Sequence, residues 1–297
     1  MMTETPLKMS PIVPGLMRLL HWGLDRDDLI AWINACLDME INTFDHADIY
    51  GGYACEAAFG QALAASPSLR DRLVLVTKCG IGLIHPNRPD HIVKHYNTSK
   101  AHILASVERS LKNLHTDRID LLLIHRPDPL MDADEVAAAF RELQTSGKVR
   151  YFGVSNFLPF HWDLLQSRLD FPLITNQIEF SLVHLDPFYD GTLDQAQRLR
   201  ARPMIWSPLG GGHLFHAQDD RSVRVRHKLQ QIADEIGGVE IDEVALAWVM
   251  AHPSHPIPVI GSGQLSRIKA AVDATRLTLS RQQWFQIWEA SRGNEVP

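Results

Sequence analysis

The chain has 297 residues, 45 % of them hydrophobic, and a formal net charge of -6. It is long enough for a sizeable core and too acidic to present nucleic acid with a basic field. No window holds the roughly 20 apolar residues that would cross a bilayer.

The amino terminus, "MMTETPLKMSPIVPG", lacks the basic-then-apolar order of an export signal. "PGLMRLL" follows as the first strand, despite the prolines around it. Leu29, Trp32, Ile33, Cys36 and Leu37 mark one face of a helix opened by Asp25 as N-cap. "INTFDH" reads as a strand and "RLVLVTK" (72–78) as the next. Ile103, Leu104, Val107, Leu111 and Leu114 lie at helical spacing. "IDLLLIH" (119–125) is a strand, 133–146 a helix stopped at Gly147, and "VRYFGVS" (149–155) another strand. "PLITNQIEF" (172–180), "PMIWSP" (203–208) and "HPIPVIGS" (255–262) continue the series, with helices between them. Ser280 and Gln283 form a capping box before Trp284, Ile287 and Trp288, so the last helix covers the barrel.

Strands read as solid apolar runs alternate with helices, the pattern of a parallel sheet buried on both faces. About eight such units in this length predict a single-domain (β/α)8 TIM barrel over residues 1–297. An open dinucleotide-binding sheet would want GxGxxG after its first strand, and none is present. No low-complexity or Gly/Pro/Ser-rich linker divides the chain. Cys36, Cys55 and Cys79 make no CxxC pair and fit a reducing, cytoplasmic setting. The 15 histidines are scattered without HxH or HExxH, so no metal site is expected.

In a barrel the chemistry gathers where strands end. Those ends carry Asp45 with Tyr50 five residues on, Lys78, His125, Ser155 with Asn156, Asn176 with Gln177, Ser207, and Gly261-Ser262-Gly263. A lysine cation beside a phenol favours phenolate and lowers its pKa, and a carboxylate behind the lysine holds that charge in place. A histidine opposite can orient a carbonyl. Asp45, Tyr50, Lys78 and His125 together therefore suit a tuned general acid that protonates an oxygen as hydride reaches carbon. Taken singly, each has a plain alternative: Lys78 a solvated strand end, His125 a loop-packing side chain, Tyr50 with Gly51 and Gly52 a turn.

"FDHADIYG", "VTKCG", "DLLLIHRPD", "GVSNF", "TNQIEFS", "WSPLGGG" and "IPVIGSGQLSRIKAAVDA", in that order, resemble the aldo-keto reductase superfamily over roughly residues 14–275. The likeness is closest to its bacterial branch. It implies a barrel that uses NADP(H), without metal or flavin, to reduce aldehydes or ketones. By that resemblance Tyr50 is the proton donor, Lys78 and Asp45 tune it, and His125 orients the carbonyl. Ser155, Asn156 and Gln177 match residues on the nicotinamide carboxamide, and Ser207, Leu209 and Gly210 the pyrophosphate segment. Gly261, Ser262 and Gly263 open a helix from about 264 to 274 whose N-terminus favours phosphate. Arg267 is one turn in and suits the adenosine 2'-phosphate.

There are departures from the family pattern. Val259 and Ile260 stand where many relatives carry a lysine, leaving Arg267 with Lys269 behind it. Met17 replaces an aromatic, Trp22 is a candidate pocket wall, and the usual N-terminal hairpin is truncated or absent. The resemblance implies a small-molecule carbonyl substrate, no nucleic-acid or membrane partner, and a monomer or weak dimer. Two other readings remain open at this stage: a Schiff-base aldolase acting through Lys78, and a non-catalytic barrel that senses NADPH. Loops at about 80–98, 126–133 and 209–224 border the pocket and encode no readable substrate preference.

Overall fold

The computed structural model describes residues 7–296. Eight parallel strands form the inner wall: β1 (Val13–Pro14), β2 (Thr43–Asp45), β3 (Val74–Cys79), β4 (Ile119–Ile124), β5 (Val149–Ser155), β6 (Asn176–Glu179), β7 (Met204–Trp206) and β8 (Ile257–Ile260). Each pairs with its sequence neighbour from β2 through to β8, and β8 pairs with β1. A single parallel bridge between Gly15 and Asp45 closes the ring. Helices lie between successive strands, as the alternation required, and the barrel expected from the sequence is the fold.

Two-residue alternation sorts the side chains. On β3, Val76 points into the barrel with Val13, Leu121, Leu123, Met204 and Ile257, whereas Leu75 and Cys79 pack outward against helices. Leu7 joins the interior cluster from the N-terminal segment. The barrel is thus filled by apolar layers, and the next inward position on β3 beyond Val76 is Lys78, fully buried.

The first strand is shorter than its apolar run suggested. Leu16–His21 is a 3-10 helix, and only Val13 and Pro14 pair with β8. Proline brings no N–H to a ladder, and Gly15 donates instead to the Ile260 carbonyl at 2.9 Å. Residues 7–12 contain no strand, while residues 1–6, where the truncated hairpin was expected, lie outside the described residues. Asp25 caps the Arg26–Asp38 helix by accepting from the Asp27 and Asp28 amides at 2.9 Å.

The last helix, Arg281–Arg292, opens with the expected Ser280/Gln283 capping box. It covers the barrel from outside, over the Asp220–Glu235 and Ile241–Met250 helices. Trp284 stacks on Trp248 at 4.8 Å, and each indole N–H donates to the other's backbone carbonyl, at 3.0 and 3.1 Å. Burying two such rings with their N–H groups satisfied is a strong anchor.

Candidate active site

Strand register sets the site. Asp45 pairs with Val76, two residues before Lys78, and Lys78 pairs with Leu123, two residues before His125. Even offsets keep all three on the inner face, while the stagger of the barrel carries each one turn of pleat further along. Tyr50 arrives from the following loop, on the short turn Tyr50–Tyr53. That turn needs left-handed backbone at Gly51 and Gly52, with φ of 58° and 62°. A Cβ on Gly51 would also stand 2.6 Å from Cys55 Sγ.

The Lys78 ammonium donates to both Asp45 carboxylate oxygens at 2.8 and 2.7 Å, to the His46 carbonyl at 2.7 Å and to Tyr50 Oη at 3.0 Å. Burial works against this cation, yet Asp45 and Tyr50 together hold its pKa above that of a free lysine. The phenol oxygen accepts from Lys78, so its own hydrogen is left to donate into the cleft. The His125 ring meets the Tyr50 ring edge-on, 5.9 Å between centroids. Burial first, then the Lys78, Arg126 and Lys94 cations, push the imidazole well below its ordinary value, so it is neutral near pH 7. Its Nδ1 has no hydrogen-bond partner among the described residues.

One expectation is reversed. Lys78 does pull the Tyr50 phenol down, but burial pushes harder and its pKa is raised from 10. Desolvation of a phenolate in a closed barrel mouth outweighs one cation already shared with a carboxylate. The group is therefore a firmly protonated phenol rather than an unusually acidic one.

A cleft of about 1110 Å³ opens above these residues. Its lining includes Tyr50, His125, Ser155, Asn156 and Gln177 toward the axis, and Ser207, Leu209, Gly261, Ser262 and Arg267 along one side. Ser155 Oγ donates to the Gln177 carbonyl at 2.8 Å and accepts from Asn156 Nδ2 at 2.8 Å. Asn156 and Ser207 both adopt positive φ, 61° and 51°, in the turns that leave their strands. Gln177 Nε2 donates to Asp45 Oδ1 at 2.9 Å.

Gly211 and Gly212 line the cleft, while Gly210 stands behind them, where a Cβ would meet Val183 Cγ2 at 2.5 Å. Gly263 likewise lies against the Trp22 ring, at 2.5 Å from an added Cβ. Trp22 packs on Trp32 at 5.0 Å and is not part of the lining. Ser262 Oγ accepts from the Gln264 amide at 3.2 Å, just ahead of the Leu265–Ala274 helix that carries Arg267.

These residues fit an extended dinucleotide. The cleft exceeds the space a small ligand alone needs. A Cβ at Gly261 would meet nothing within 4 Å, so the backbone there is open to a ligand. A helix N-terminus and an arginine unpaired among the described residues share that end of the cleft.

The lining also holds residues outside the predicted site: Trp206 carried no signal in the sequence, whereas Lys94 and Tyr96 lie on the 80–98 loop expected to border the pocket. Trp206 donates its indole N–H to Asn156 Oδ1 at 3.0 Å and lies under the Arg126 guanidinium, 5.5 Å from ring centroid. Position after His125 is the one hint that marked Arg126. Lys94 and Tyr96, from the hairpin of Ile81–Gly82 with His95–Tyr96, border the outer cleft.

Residues 11–292 match the family model described as the aldo/keto reductase family. The chain is 54% identical over 288 residues to the oxidoreductase YdhF of Escherichia coli strain K12, covering 97% of this chain and 95% of that protein. It is 47% identical over 294 residues to a 6-dehydroglucose reductase of Agrobacterium fabrum, covering 98% and 97%. Among solved structures it is similar to an aldo/keto reductase of Klebsiella pneumoniae in complex with NADP and acetate, with TM-score 0.77, 24% identity, and coverage of 97% and 93%.

Proposed function

From a chain that belongs to the aldo/keto reductase family, and is thereby an NAD(P)-dependent oxidoreductase acting on carbonyls, we propose NADPH-dependent reduction of an aldehyde with Tyr50 as proton donor. The observation that carries this reading is Lys78 Nζ at 3.0 Å from Tyr50 Oη, with Asp45 on its far side and His125 beside the phenol. When bound, the nicotinamide supplies the hydride.

The remaining work falls to the side chains. Asp45 and Gln177 fix the Lys78 ammonium, and the ammonium holds the phenol oxygen as an acceptor so that the phenol O–H faces the cleft. Neutral His125 donates to the substrate oxygen and sets its direction. As negative charge grows on that oxygen, Tyr50 releases its proton, and the nearby Lys78 cation stabilises the phenolate left behind. Ser155 and Asn156 hold the carboxamide end, and Ser262 with Arg267 the phosphate end. The cofactor NADP is bound by the Klebsiella relative, and Arg267 supports the same 2'-phosphate preference here.

The similar 6-dehydroglucose reductase supports a substrate class, an aldehyde carried on a polyol. Arg126, Lys94, Tyr96 and His216 ring the outer cleft with polar groups suited to hydroxyls. Imine chemistry at Lys78 is disfavoured, because its amine is kept charged by Asp45 and a protonated amine is no nucleophile.

Tyr50→Phe is the test. Keeping the ring while removing the hydroxyl should cost about 10²-fold or more in NADPH-dependent aldehyde reduction, with the cofactor dissociation constant unchanged. Full activity in that variant overturns the assignment.

A further inference from the structure

We infer that a second cavity, on the flank of the barrel and bounded by Arg221, Arg224 and Arg292, binds a phosphate-type oxyanion independently of the cofactor cleft. The cavity holds about 510 Å³. It lies between the 183–189 loop, the first turns of the Asp220–Glu235 helix and the end of the Arg281–Arg292 helix.

Among the described residues none of the three arginines has a carboxylate partner within ion-pair distance. Asp186 is the one carboxylate in the lining, and its side chain is 80% exposed, 3.9 Å from His184. Cationic charge therefore exceeds anionic charge around the cavity.

The guanidinium donors are largely unspent. Each carries five N–H groups. Arg221 donates from Nη2 to Ser291 Oγ at 3.0 Å, while its Nε is buried without a partner among the described residues. Arg224 makes a single long contact, Nε to the Ala290 carbonyl at 3.4 Å. Arg292 spends its face on the Trp288 ring, 4.6 Å from centroid, and makes no hydrogen bond among the described residues.

Local structure holds this arrangement. Gly293 ends the last helix with φ of 88°, and a Cβ there would stand 2.9 Å from Arg224 Nη2. The helix C-terminus favours neighbouring cations, which explains how three guanidiniums gather without carboxylates. It does not supply acceptors to their remaining N–H groups. Planar forks of this kind match a tetrahedral oxyanion with paired hydrogen bonds.

The test is isothermal titration of the full chain with inorganic phosphate and with glucose 6-phosphate at constant ionic strength. Three variants are compared: Arg267→Ala, Arg221→Ala with Arg224→Ala, and the half-buried Arg292→Ala. Saturable binding is expected, retained in Arg267→Ala and weakened about tenfold or more in each flank variant, the usual yield of a lost charge-assisted hydrogen bond. Tighter binding of glucose 6-phosphate assigns the site to a phosphorylated metabolite, and equal binding to the free ion. Absence of saturation, loss in Arg267→Ala, or indifference of both flank variants overturns the proposal.

Discussion

Gln177 donates its side-chain amide to Asp45 Oδ1 at 2.9 Å, joining residues 132 positions apart across the barrel mouth. Asp45 already accepts from Lys78 with both oxygens, so the glutamine is a second clamp on the carboxylate that charges the lysine. Its carbonyl end is free to meet a ligand in the same cleft. Gln177→Leu is accordingly expected to slow reduction about tenfold, the scale of one hydrogen bond to a charged group. Gln177→Glu, placing like charge against Asp45, should cost more. Single-turnover rates with saturating cofactor would separate this from weaker binding, and an unaffected rate in both variants would rule out the clamp.

The pH profile should lack a limb near neutrality. His125 is neutral because burial and its cationic neighbours lower its pKa well below 6.5. Tyr50 stays protonated because burial raises its pKa above 10. An acid catalyst works only while protonated, so reduction is expected to hold level from about pH 6 to 10 and fall only above that. A titration centred near pH 7 in kcat/KM would contradict it.

Arg267→Ala should weaken NADPH by about tenfold or more, the loss of a charge-assisted contact, and NADH hardly at all. Fluorescence titration of both cofactors gives the ratio. Equal losses would remove the 2'-phosphate from Arg267.

Asp48 carries a stability prediction. Burial, and then Glu56, push its carboxyl up to about 8, from 3.8. Below 3.8 both folded and unfolded chains hold this proton. As pH rises to 8 the unfolded chain releases it and the folded chain does not, so this group lowers stability across that window. Asp48→Asn mimics the neutral acid. The Tm of the variant relative to the parent should therefore climb between pH 4 and 8 and then level off. A constant difference in melting scans across that range would show that Asp48 is ionised in the folded protein.

Much of this site was legible because barrels put polar residues directly after apolar runs. Asp45, Lys78 and His125 stood out as the charged or titratable residues that close the inward faces of their strands, and Tyr50 by the paired glycines that follow it. What was hidden depends on contacts across the ring. Nothing local distinguishes a glutamine facing cofactor from one that also grips Asp45. Trp206 ends an apolar strand, and only the closed barrel brings its indole N–H onto Asn156 Oδ1. The direction of the Tyr50 shift was misjudged because a list of neighbouring charges omits how thoroughly the mouth is desolvated. The flank arginines were invisible too, since three separate segments of the chain supply that cavity.

The single bridge between Gly15 and Asp45 gives the ring a seam, and the seam passes through the residue that holds Lys78. Longer ladders elsewhere tie strands by several pairings, as between β4 and β5. Thermal breathing should begin at the weakest tie. Heating would then uncouple Asp45 from Lys78 while most helices remain intact, so inactivation should precede the loss of circular dichroism. The backbone amides of Val13 and Gly15 should exchange with deuterium ahead of those in the 119–124 strand.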